Sequence, residues 1–149
     1  MEVFKICREK YAHSLNASGV ANRWNKKDQF VIYTGGSRSL STLETVAHRS
    51  AINLSSPYKL LTITITDLSS IGEINPENLP ENWKSIDAYV ELQEIGSRWY
   101  ISMESLVLKV PSALISQEFN YIINTSHPSF STNIILKNVE DFVWDIRLL

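Results

Sequence analysis

Apolar and polar positions alternate most clearly in Leu60–Thr66, where Leu61, Ile63 and Ile65 interleave with Thr62, Thr64 and Thr66. A period of two predicts a half-buried strand, one face toward a core and one toward water. Val3–Cys7 alternates in the same way, and Phe30–Tyr33 is a short β-rich run ended by Gly35-Gly36. The period lengthens in Ser37–Ser50, where Leu40, Leu43 and Ala47 fall on one face of a predicted helix and Ser37 or Ser39 can cap its start. A second helix is predicted over Ile86–Arg98, with Ile86, Tyr89, Val90 and Gln93 near one face and Gly96 marking its end. Leu106–Val110 reads as a strand closed by Pro111, and Ile122-Ile123, Ile134–Leu136 and Phe142–Trp144 read as further strands. A short helix or turn at Tyr11–Leu15, a small polar loop at Asn16–Asn22 and an irregular connection at Asp67–Trp83 complete the chain.

Strands outnumber helices and do not alternate regularly with them, which argues for an α+β fold. With no repeat or linker in its 149 residues, the chain reads as a single domain over 1–149. Hydrophobic residues at 44% and charged residues at 20% place it among ordinary globular chains. The formal charge of −2 disfavours a general nucleic-acid binder, so any anionic ligand must be held by a local group of cations. Cys7 is the single cysteine; it excludes an intrachain disulfide and reads as a small buried residue. The three histidines are far apart and show no zinc spacing, so no metal is expected. No signal-like start and no membrane-length apolar run is visible, and the expectation is a cytoplasmic protein with no membrane partner.

Four residues have settings that suit chemistry as well as packing. Glu44 sits beside the Leu40–Leu43–Ala47 stripe, where an inward carboxylate is costly unless paired. It is either a stripe-edge residue reaching water or bonded to His48, or a carboxylate at the floor of a cleft. Arg23 follows the polar loop and precedes Trp24; its fork can hold phosphate or bridge two loops. Tyr33 ends the strand that feeds the Glu44 helix, as a core residue or as a ring that stacks on a ligand base. Ser112 follows Pro111 at a strand-to-loop junction, outside any nucleophile-elbow motif. It reads as a hydrogen-bonding or turn serine, and Gly35-Gly36 lacks the residues of a phosphate-binding P-loop.

The frames Arg23-Trp24-Asn25, Tyr33-Thr34, Leu43-Glu44 and Val110-Pro111-Ser112-Ala113 come in an order and spacing that resemble the RES domain family. Tyr33 follows Arg23 by ten positions and Glu44 follows Tyr33 by eleven. Asn120–Asn124, His127-Pro128 and His48-Arg49 add to the likeness, which runs from Val3 to Arg147. The resemblance implies a fold like that of the ADP-ribosyltransferases and a toxin of a bacterial toxin–antitoxin pair that degrades NAD at its nicotinamide–ribose bond, by hydrolysis or phosphorolysis. In that reading NAD is substrate, inorganic phosphate is a potential co-substrate, and no prosthetic group is needed. Arg23 clamps the pyrophosphate, Tyr33 is a platform for the rings, Glu44 steadies the cationic ribose, and Ser112 orients nicotinamide or its ribose. Asn120, Asn124 and His127 are expected to fix loop backbones. Lys5 stands in the first strand where many family members carry arginine; it keeps the charge for phosphate but loses the planar fork. The implied partners are an Xre-type antitoxin with a DNA-binding helix-turn-helix domain and a second toxin copy. The competing readings are an ADP-ribosyltransferase acting on a cellular target, and a weakened member that only binds its antitoxin.

Overall fold

A computed structural model describes residues 1–149, the side chain of Arg49 (one of the positions in the sequence likeness) excepted. The strands are β1 (Glu2–Arg8), β2 (Val31–Gly35), β3 (Tyr58–Ile65), β4 (Ile71–Glu73), β5 (Val107–Pro111), β6 (Phe119–Asn124) and β7 (Ile134–Phe142), with helices α1 (Arg38–Ala47), α2 (Tyr89–Ser102) and α3 (Phe130–Asn133). They form one sheet in the order β4-β5-β6-β2-β1-β3-β7, parallel only between β4 and β5. The α+β class expected from the sequence is the class observed.

The joint between β1 and β2 decides where a site can form. β1 runs alongside β3 through seven register pairs, Glu2↔Thr64 to Arg8↔Tyr58. β2 runs alongside β6 from Val31↔Asn124 to Gly35↔Asn120. Between β1 and β2, by contrast, Phe4↔Gly35 is the one register pair among the described residues. The sheet is thus two half-sheets meeting at a single point, and beyond it the strands part.

Several expectations are corrected by packing. β3 is buried on both faces because a separate apolar cluster covers each: Leu60 packs with Phe4, Ile6 and Tyr58, with Ile52 and Trp144 against them, while Leu61, Ile63 and Ile65 join Val3, Ile32 and Ile123. Even Thr62 is buried. Ile134–Leu136 and Phe142 belong to one nine-residue strand, while Val143 and Trp144 lie beyond its end. Trp144 instead packs edge-on against Tyr58 and Phe142. The helical turn expected at Tyr11–Leu15 occurs earlier, at Glu9–Tyr11. The connection at Asp67–Trp83 contains the edge strand β4, and Pro111 is itself paired with Phe119.

Both long helices present a different face from the one their apolar spacing predicts. In α1, Ser37 is the cap, accepting from the Leu40 N–H at 3.0 Å. Leu40 and Ser41 are buried, but Leu43 is 39% exposed. The helix lies so close to the sheet that a Cβ on Gly35 would stand 2.9 Å from the Ser41 nitrogen. The Ser41 hydroxyl donates to the Phe4 carbonyl at 3.0 Å. A small residue is therefore needed at the contact, and the inward face rotates toward Ser41, Glu44 and Thr45. Ile86, in the turn just before α2, and Val90 within it are each 75% exposed, and Leu92, Gly96, Ser97 and Trp99 face inward. Gly96 does not end the helix. It admits the Trp24 carbonyl, whose oxygen would lie 1.7 Å from a Cβ at that position.

Candidate active site

Where β1 and β2 part, a cavity of about 710 Å³ opens, a size in the range common for small-molecule sites. Lys5, Ile6 and Cys7 of β1 form one wall, and Val31–Gly35 of β2 another. Ser41, Glu44 and Thr45 of α1 form a third side, with Arg23, Tyr89, Leu114 and Asn120 around the remainder.

Glu44 is half-buried and held by two donors on a single oxygen. The Ser112 hydroxyl donates to Oε1 at 2.7 Å, and the Asn120 side-chain amide donates to the same atom at 2.6 Å. Oε2 makes no hydrogen bond among the described residues, so one carboxylate oxygen is anchored and the other left to the cavity. His48 approaches the backbone carbonyl of Glu44, with Nδ1 at 3.2 Å, and does not bond its carboxylate.

Ser112 is fully buried and is absent from the cavity wall, which its neighbours Pro111 and Ala113 line. Its oxygen also accepts the N–H groups of Leu114 and Ile115 at 3.1 and 3.2 Å. The expected direct contact of Ser112 with a ligand is thus replaced by a place behind Glu44. Its hydroxyl has no free capacity for another partner.

Arg23 reaches the cavity from a loop that three neighbours fasten. Trp24 is buried among Trp83, Leu92 and Trp99. Asn25 is buried and donates to the carbonyls of Val20, Lys26 and Gln29. Across to α2, Gln29 donates to Ser97 at 2.7 Å, and Gln93 donates to the Asn22 carbonyl at 2.9 Å. Arg23 Nη1 donates to the carbonyls of Trp83 and Lys84 at 2.8 and 3.2 Å, and the guanidinium lies 4.8 Å over the Tyr89 ring. Nε and Nη2 have no other partner among the described residues, which leaves donors for an anion.

Tyr33 lines the cavity with its ring, but its hydroxyl is committed to the Arg23 loop. It donates to Asn25 Oδ1 at 2.7 Å and accepts the Trp24 N–H at 3.0 Å. Burial pushes its phenol well above the ordinary tyrosine range, so it stays protonated. Lys5 is half-buried on the opposite wall. Burial there holds its ammonium below the usual lysine value, opposed by Cys7 on the same face of β1.

The structure therefore brings Lys5, Arg23, Tyr33 and Glu44 to one cavity, with Ser112 directly behind Glu44. Asn124 and His127 do fix backbone, Asn124 through Tyr100 and Ser126, His127 through Met103 and Ser129. Asn120, expected in the same role, belongs to the site. Its two-residue offset from Ile122 fixes only the strand face it shares, so nothing in the sequence marked it for the site. The combination of two cations, an aromatic wall and one anchored carboxylate suits an anionic ligand in which positive charge develops during reaction.

A family model for the RES domain matches residues 2–145. The chain is 35% identical over 152 residues to a protein named Toxin Res from Yersinia enterocolitica serotype O:8, covering 99% of each chain. It is 32% identical over 143 residues to the Prs ADP-ribosylating toxin of a Sphingobium species, covering 93% of this chain and 88% of that one. A Toxin Res from Photorhabdus laumondii is 30% identical, covering all of this chain and 97% of the relative.

Proposed function

Because this chain belongs to the RES domain family, whose fold is ADP-ribosyltransferase-like, we propose that it is a toxin that consumes NAD by breaking the bond between nicotinamide and ribose. The single observation that carries the reading is the anchored Glu44 carboxylate in the cavity that Arg23 also lines. As the bond breaks, its electron pair leaves with nicotinamide and positive charge grows on the ribose. A fixed carboxylate beside that sugar stabilises the charge, as in glycoside hydrolysis. Nicotinamide leaves as a neutral ring and needs no strong general acid. Arg23 and Lys5 meet the diphosphate, Tyr33 supplies ring surface, and Ser112 keeps Glu44 in place. Water as acceptor yields ADP-ribose; inorganic phosphate yields its phosphorylated form. The reaction draws on the cytoplasmic NAD pool, and an antitoxin with a helix-turn-helix domain restrains it in a complex that contains paired toxin copies.

A second reading, transfer of ADP-ribose to a protein target, is favoured by the printed name of the Sphingobium relative. Mass spectrometry of the purified protein incubated with NAD, alone and with bacterial lysate as a source of targets, separates the two. Breakdown releases equal amounts of nicotinamide and ADP-ribose or its phosphate; transfer leaves nicotinamide with a mass-shifted protein. If no nicotinamide appears under either condition, both readings fail.

A further inference from the structure

We propose that Asn120 is the positioning residue for Glu44: its side-chain amide, with the Ser112 hydroxyl, pins Oε1 so that Oε2 is the oxygen presented to the reacting sugar. This rests on the NAD-cleaving reading and deepens it. Asn120 occupies β6 opposite Val110 of β5 and Gly35 of β2. Its Nδ2 lies 2.6 Å from Glu44 Oε1. Only a donor can stand there, because the alternative amide orientation would set two oxygens against each other. That orientation has a cost within the same side chain: Asn120 Oδ1 is buried without a hydrogen-bond partner among the described residues. A residue retained for packing would avoid such an orphaned acceptor. Asn120 tolerates it, and the recipient of its donor is the carboxylate on which the reaction depends.

Two donors achieve what one does not. Glu44 reaches from α1 on a flexible side chain. Ser112 follows the end of β5, and Asn120 lies near the start of β6. One hydrogen bond fixes a distance and leaves the carboxylate free to swing; two from different segments of the chain fix the oxygen in place. The second oxygen is then held toward the cavity without a rearrangement during reaction.

The test is steady-state nicotinamide release from NAD by the wild type, Asn120→Ala and Asn120→Asp, with thermal unfolding as the check of folding. The expected result for Asn120→Ala is a fall in kcat of about 100-fold with KM within about threefold of wild type. Asn120→Asp keeps the shape but sets a carboxylate against Glu44. Such a pair takes up one shared proton as pH falls, which restores a donor at this position. The ratio of Asn120→Asp to wild-type kcat therefore rises as pH is lowered from about 9 to about 6. A loss carried by KM alone, a flat ratio across that range, or kcat near wild type in Asn120→Ala overturns the inference. So does failure of both variants to fold, which would make Asn120 a residue of the fold. A wild type that releases no nicotinamide sinks the underlying reading, and the inference with it.

Discussion

The two cations of the cavity differ in how they are held, and this sets what each contributes. Arg23 is braced by two carbonyls and the Tyr89 ring, so its fork is preorganised to meet an anion such as the proposed diphosphate. Lys5 has no such brace among the described residues, and burial lowers its affinity for a proton. Its ammonium is present below that lowered value and is lost as pH rises through it. KM for NAD accordingly climbs at alkaline pH in the wild type, before an ordinary lysine would lose its charge. Lys5→Arg removes this rise, because a guanidinium stays charged over the whole range. Coincident pH profiles of KM for the two proteins would exclude Lys5 from the phosphate site. Single positions were legible in the sequence where a charge stood in an unusual frame, as at Arg23 and Glu44. Asn120 was not, because an amide in a strand gives no sign of which group it serves. The partner of the Tyr33 hydroxyl was hidden for a similar reason: sequence spacing cannot reveal that a loop eight residues earlier returns to claim it.

The elements carry these residues through contacts that hydrophobic periodicity does not encode. The positions of α1 and α2 were legible, but their inward faces were not. Each helix approaches its neighbour through small residues, Ser41 against Gly35 and Gly96 against the Trp24 carbonyl. Glycine at the end of an apolar pattern normally signals a helix stop; here it marks a close approach in the interior of α2. Gly96→Ala forces its new methyl into backbone, which cannot yield as a flexible side chain can. The expected cost is about 3 kcal/mol in chemical denaturation. The displaced Trp24 also pulls Arg23 from its carbonyls, raising KM in whatever protein remains folded. A Gly96→Ala variant with wild-type stability would show that the loop is not pressed against α2 as described.

At the scale of the whole molecule, the α+β class followed from the run of strands, whereas the strand order did not. Short apolar segments such as Ile122-Ile123 state that a strand exists and leave its neighbours open. The decisive feature is the one-pair joint between β1 and β2, set by long-range pairing of β1 with β3 and of β2 with β6. That joint opens the cavity, and α1 crosses it to place Glu44 inside. An overall charge of −2 coexists with two cations, Lys5 and Arg23, lining the cavity because binding needs only local complementarity. The most direct measurement compares wild type with Glu44→Gln, which keeps the size of the side chain and removes its charge. ADP-ribose binding by calorimetry and nicotinamide release from NAD are read on the same preparations. The account predicts binding within about threefold and release slowed by at least about 1,000-fold, as for loss of a group that stabilises transition-state charge. Release by Glu44→Gln at the wild-type rate would contradict it.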